Sequence, residues 1–148
     1  MIIRKATKYD LKNLTKLFDN YRIFYEQKSD LISAEKFLLE RMENEESEIF
    51  VADNNKNELV GFVQLYPIFS STRMQKLWLL NDLFVDEKYR RKGISVSLIN
   101  ESKKLCKETN ACGLILVTAK TNDIGNNLYP KTEFLSDNGH NHYSWDNK

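Results

Sequence analysis

The chain has 148 residues, 29% of them charged, with 22 Lys and Arg against 21 Asp and Glu and a formal net charge of +1. This length suits a single domain with a real core, and the balance of charge excludes a general pull toward nucleic acid or anionic membrane, so any anion site must be local. Cys106 and Cys112 lack metal-ligand spacing and secretory context, and no apolar run suggests a signal peptide or a membrane span, so the expected setting is the reducing cytoplasm.

In chain order, MIIRKA reads as a first strand. The following run spaces Leu11, Leu14, Leu17 and Phe18 on one helical face, with Thr7 as the expected N-cap. A second helix is expected from Ser33, whose side chain would cap it, with Phe37, Leu38 and Met42 apolar. SEIFVAD and ELVGFVQLYPIF flank the turn NNKN and read as a hairpin. A loop, SSTRMQK, leads to the strand LWLLNDLFVDE. Strict alternation puts Trp78, Leu80, Asp82 and Phe84 on one face and Leu79, Asn81, Leu83 and Val85 on the other. Both faces are largely apolar, as in a central strand covered on both sides. After the loop KYRRKG come a helix (ISVSLINESKKLCKETN), a strand (ACGLILVTA), a short helix (NDIGNNLYPKT) and two last strands, EFL and HNHYSWD. This order predicts an α+β domain over residues 1–148. Its mixed, mostly antiparallel sheet has about seven strands, flanked by about four helices.

The segment Arg90-Arg91-Lys92-Gly93-Ile94-Ser95 joins the central strand to the helix. The first N–H groups of a helix lack internal partners, and the helix dipole makes that end partly positive. A strand, a cationic loop, a glycine and a helix start together suit a phosphate group. Arg90 and Arg91 can pair with phosphate in forked hydrogen bonds; Ser95 can add a hydroxyl donor, and Lys88 and Lys92 read as solvated. A basic turn between two core elements fits the same residues. The segment matches neither the dinucleotide G-x-G-x-x-G fingerprint nor the P-loop.

This segment resembles motif A of the GNAT superfamily of acyl-CoA-dependent N-acetyltransferases, with Arg/Gln-x-x-Gly-x-Gly/Ala between strand and helix. Ser95 stands where the family has Gly or Ala. Further on, TNDIGNNLYPKTEF is similar to the family's Asn-x-x-Ala-x-x-Leu-Tyr-x-x-x-Gly-Phe through Asn122, Leu128, Tyr129 and Phe134, with Gly125 in place of Ala and Glu133 in place of Gly. The resemblance is motif-specific over residues 78 to 134. It implies a GNAT-like fold that transfers an acetyl group from acetyl-CoA directly to an amine, with no covalent enzyme intermediate and no metal. It implies that residues 90–95 hold the pyrophosphate of coenzyme A, and that the backbone of Leu83, Phe84 and Val85 pairs with the pantetheine arm. It also implies Tyr129 as general acid toward the departing sulfur and Asn122 as a contact of the pantetheine or of the tyrosine's helix. A homodimer through the late strands is a further expectation.

Acetyl transfer needs a neutral amine, a polarised carbonyl and a protonated leaving group. Asp82, on an apolar strand, fits a general base with a raised pKa. It equally fits a site that only binds a cationic amine. In NYRIFYEQKSD, Tyr25 and Glu26, with Tyr21 and Phe24, can hold an amine by cation–π contact and charge, or can simply be core. His140 and His142 alternate in HNHYSW without a third ligand type beside them. The reading favours a small-molecule amine. A protein N-terminus or lysine as acceptor, or a non-catalytic acyl-CoA-binding module, fits the same motifs. Near-zero net charge argues against nucleic acid.

Overall fold

In the computed structural model, which describes residues 1–148, five strands form one sheet in sequence order. They are β1 (Ile2–Lys5), β2 (Glu48–Asp53), β3 (Leu59–Ser70), β4 (Gln75–Val85) and β5 (Leu114–Ile115). The first four pair antiparallel, and β5 joins β4 in parallel through Trp78–Leu114 and Leu79–Ile115. The helices are α1 (Leu11–Phe24), α2 (Leu31–Glu43), α3 (Ile94–Glu108) and α4 (Asp123–Lys131). The chain divides into two compact units, Met1–Val117 with the sheet and α1 to α3, and Thr118–Lys148 with α4.

The sheet therefore has five strands, not about seven. Glu133–Leu135 and the stretch 140–146 lie outside it, and ACGLILVTA contributes only Leu114 and Ile115. The late run HNHYSWD alternates as a strand should, yet Tyr143 and Trp145 are almost fully exposed. Alternation without burial does not offset the entropy of ordering the backbone.

Within the first unit, α1 and α2 cover one sheet face. Leu14, Leu17, Phe18, Ala34 and Leu38 pack there on Ile49, Val51 and Phe62. Ile94, Leu98, Ile99, Ser102 and Leu105 form the buried stripe of α3, which contacts β2, β3 and β4. The α1 entry differs slightly from expectation. Thr7 precedes a 3-10 turn, Lys8–Asp10, and donates to Asp10 through its amide and its hydroxyl. Arg4 bridges Asp10 and Asp53, tying this entry to β1 and β2. The α2 cap is Asp30 rather than Ser33; its carboxylate accepts from the Ser33 amide at 3.0 Å. Three residues earlier in the chain, Asp30 leaves room for one more turn than a Ser33 cap would.

All four helices end alike. An amide reaches five residues back, Gln27 to Arg22, Glu46 to Arg41, Ala111 to Cys106 and Phe134 to Tyr129. The residue before each of those amides, Glu26, Glu45, Asn110 or Glu133, takes a left-handed φ of 63°, 52°, 51° or 69°. Glycine is the usual occupant of this position because side chains crowd the left-handed backbone. Glu133 thus makes the turn for which the family motif has a glycine. Replacing Glu45 by Gly, away from the site described below, is expected to raise the unfolding free energy by about 0.5–1 kcal/mol. Urea melts of Glu45→Gly beside wild type measure this.

Candidate active site

Strand β4 does not alternate from end to end. Asp82 pairs with Gln64 and Leu80 with Leu65, so Asn81 is an extra residue without a partner on β3. A bulge of this kind reverses the faces beyond it. Trp78 and Leu80 therefore point to the α3 side, while Asp82 and Phe84 point to the α1 side beside Gln64 and Phe62. Strict alternation had grouped all four; the bulge separates them.

Asp82 is 3% exposed. Gln64 Nε2 donates to its Oδ2 at 2.7 Å, Asn81 Nδ2 donates to its Oδ1 at 2.9 Å, and the Tyr21 hydroxyl donates as well. Burial pushes the Asp82 carboxyl above its ordinary value, and those three donors oppose the shift. Two more phenols sense the same carboxylate. Burial and then Asp82 raise Tyr25, and they push Tyr66 up to about 12. The aromatic rings continue outward from this point. Tyr21 meets Phe62, Phe84 and Tyr25, and Phe24 meets Tyr25 and Phe84, all with centroids between 5.0 and 6.4 Å. The end of α1 and the middle of β3 and β4 thus enclose one carboxylate in phenols and phenyl rings. Glu26 is exposed at the left-handed turn after α1.

Past Leu79, β4 has no partner on its β5 edge, so the backbone of residues 80–85 is paired only with β3. The strand then runs into the cationic loop. Arg90 folds back on it: Nε donates to the Val85 carbonyl at 3.0 Å, and the guanidinium lies 5.5 Å from the Phe24 ring and 5.7 Å from the Phe84 ring. Lys92 sits over Tyr89 at 5.1 Å. Arg91, with φ of 62°, is exposed, and so is Gly93 at φ 76°. A Cβ on Gly93 would meet nothing within 4 Å, so the glycine answers to the backbone turn and not to crowding. Gly93 begins α3 with no side-chain cap, and its carbonyl takes the Ser97 amide at 3.0 Å. The amides of Ile94, Ser95 and Val96 have no acceptor within the protein. Three open donors at a partly positive helix end have the chemistry that suits an anion.

In the second unit, Asn122 caps α4. Its Oδ1 accepts from the Gly125 amide at 3.2 Å and its Nδ2 donates to Thr118 Oγ1 at 2.9 Å. Gly125 fits because a Cβ there would come within 2.7 Å of Asn122 Nδ2 and 3.1 Å of the Tyr129 ring. Tyr129 stacks edge-on against Phe134 at 5.7 Å, the apolar contact that accompanies the turn at Glu133. His140 pairs with Asp137 at 2.7 Å on exposed chain outside any strand.

The model of the Acetyltransferase (GNAT) family matches residues 11–134. The chain belongs to the GNAT acetyltransferase family. It is 42% identical over 143 residues to "Uncharacterized N-acetyltransferase YhfO" of Bacillus subtilis, covering 97% of this chain and 95% of that protein. A crystal structure of "a probable acetyltransferase" superposes with a TM-score of 0.94 at 34% identity, covering 100% of this chain and 99% of that one. An aminoglycoside acetyltransferase from an uncultured soil metagenomic sample, in complex with sisomicin, shares the fold at a TM-score of 0.85 and 21% identity, covering 99% of this chain and 96% of that one.

In this GNAT chain, Tyr25 lies within electrostatic reach of Asp82 while 42% exposed, and Glu26 is exposed. The structure separates the two arginines, Arg90, at the position where the motif has Arg or Gln, turned inward and Arg91, at a position the motif leaves open, outward. Sequence reasoning missed Gln64, wholly buried in β3, because an amide in an apolar strand carries no catalytic motif. The single polar residue in VGFVQLY was the available signal. Arg90→Ala is expected to lower stability by about 1–2 kcal/mol through the lost hydrogen bond and ring contacts. Arg91→Ala is expected to stay within about 0.5 kcal/mol of wild type. Denaturant melts of both variants test that division.

Proposed function

We propose that this acetyltransferase moves the acetyl group of acetyl-CoA to the primary amine of a small molecule, in the cytoplasm. The observation that carries the reading is the end of β4. A strand open on one edge leads directly to the three acceptor-less amides of α3. Amide donors in that position, with Arg91, Lys92 and the Ser95 hydroxyl beside them, fit a pyrophosphate. The open edge at Leu83, Phe84 and Val85 fits an amide-bearing arm laid alongside it. Arg90 keeps the loop in place from below. The family model runs across the division between the two units, which supports reading residues 1–148 as one catalytic domain.

Acetyl-CoA supplies the acetyl group as a thioester. Asp82, with a proton affinity raised by burial, takes the proton of the acceptor's ammonium so that the amine lone pair is free to attack. The new N–C bond forms as the C–S bond breaks, Tyr129 gives the departing sulfur its proton, and the acylated nitrogen releases its extra proton to solvent, from which the tyrosine is reprotonated. Tyr25 offers its ring to the cation and Asn122 holds the helix of Tyr129. Asp82 in its aromatic surround supports a cationic small amine as acceptor, with Glu26 at the entrance.

Calorimetric titration of acetyl-CoA tests the cradle. Saturable binding is expected for wild type and loss of it for Gly93→Pro, with circular dichroism confirming that the variant folds. Arg91→Glu is expected to weaken binding by about 10-fold or more. No binding by folded wild type sinks the reading. Tyr129→Phe is expected to lower kcat on a screened polyamine or aminoglycoside by about 100-fold. Binding without turnover on any amine would leave a non-catalytic acyl-CoA module. For an active acceptor, kcat/KM is expected to fall as pH drops through the raised Asp82 pKa, because the protonated carboxyl cannot accept the ammonium proton. That acid limb lies above the ordinary carboxylate range and disappears in Asp82→Asn.

A further inference from the structure

The Asp82 carboxylate is held from behind by a chain of two more side chains. Gln64 is wholly buried, and its Oε1 accepts from the Ser47 hydroxyl at 2.9 Å. The carboxylate decides which way the amide points, because it only accepts: Nε2 meets Asp82 Oδ2 at 2.7 Å, and Oε1, turned away from it, accepts from the Ser47 hydroxyl. A reversed amide would set a carbonyl oxygen against a carboxylate, which is costly in a buried site, and the Ser47 hydroxyl anchors the far end of the amide against movement away from Asp82.

We propose that Gln64, locked by Ser47, is a positioning residue that fixes the Asp82 carboxylate in its charged, proton-accepting form. A carboxylate has about four lone-pair sites. Gln64, Asn81 and Tyr21 occupy three of them. The fourth is left for the acceptor's ammonium, so the same three donors that hold the group also aim it. This deepens the reading of Asp82 as the proton acceptor and rests on it for its catalytic meaning, but the Ser47–Gln64–Asp82 chain stands on its own geometry.

Tyr21 and Tyr25 face Asp82 from α1 and its end, and Tyr66 faces it from β3. Arg41 and Glu46, at and after the end of α2, act on Tyr66 with opposite signs. Arg90 closes the outer side through Phe24 and Phe84. Of these groups only Tyr21 bonds to the carboxylate; among the three donors, Gln64 opposes the effect of burial most, at 2.7 Å, and is the one held from behind by Ser47.

The test is a direct titration of Asp82 by carbon NMR on protein labelled at aspartate carboxyls, the resonance being assigned by its absence in Asp82→Asn. Gln64→Leu removes a donor to the charged form, so the Asp82 midpoint is expected to move up by about one pH unit. Ser47→Ala unlocks the amide and is expected to move it in the same direction by less, and Ser47→Thr to restore it. If Gln64→Leu does not fold, the half-buried Ser47 variants decide. A midpoint unchanged in every folded variant overturns the proposal. The titration needs no acceptor and no acetyl-CoA, so failure of the acetyl-transfer reading appears separately, as an inactive enzyme whose Asp82 midpoint still responds to Gln64 and Ser47.

Discussion

One inserted residue organises the site. Without the bulge at Asn81, Asp82 would project toward the α3 side of the sheet, among Ile94, Leu98 and Ile99, where the surroundings are apolar. An unpartnered carboxylate there would either neutralise itself or destabilise the fold. The extra residue gives up one ladder position and turns the carboxylate to the face where Gln64 and Tyr21 wait with donors. It also returns Leu83 and Val85 to the α3 side and Phe84 to the α1 side. The same displacement thus serves the core on one face and the hydrogen-bonded carboxylate on the other. Asn81 itself, left out of the ladder, uses its side chain on Asp82.

The open amides at the start of α3 depend for their position on a second constraint, the close seating of the helix. Gly61 lies under the helix start; a Cβ there would meet the Phe84 carbonyl oxygen at 3.1 Å and the Ile94 and Val85 side chains at 3.3 Å. Ile94 is the first residue of α3, so this contact sets how near the free amides come to the end of β4. Arg90 fastens the intervening loop from the other face through Val85, Phe24 and Phe84. With both anchors inside, Arg91 and Gly93 can hold left-handed backbone without the loop collapsing. The loop's charge is therefore divided by role, one guanidinium holding the fold and the other facing solvent.

Much of this was legible in the sequence because it rests on local rules. The helical spacing of Leu14, Leu17 and Phe18, the stripe of α3, and the strand–loop–glycine–helix order each follow from nearest neighbours. The reversal at Asn81 was not legible, since LWLLND alternates as well with a bulge as without one, and only pairing with β3 decides. Gln64 was hidden for the same reason: its partners Ser47 and Asp82 are 17 and 18 residues away. The late strands failed in the opposite sense. Their pattern is sound, but Tyr143 and Trp145 bury little surface. Glu133 illustrates a third case, in which a residue poorly suited to a left-handed turn adopts it because Tyr129 and Phe134 close the apolar contact around it.

A chain with a net charge of +1 nevertheless presents two opposite electrostatic environments, and β4 sets their spacing. Asp82 and Val85 are three residues apart, about 10 Å along a strand. That is near one Debye length at ordinary salt, so screening between the two ends is only partial. A carboxylate at one end favours a cation, and the helix start beyond the other end favours an anion. Each lowers the cost of holding its opposite without the protein carrying excess charge. The rigidity that fixes this spacing is the β3–β4 pairing, interrupted once at the residue that gives Asp82 its direction.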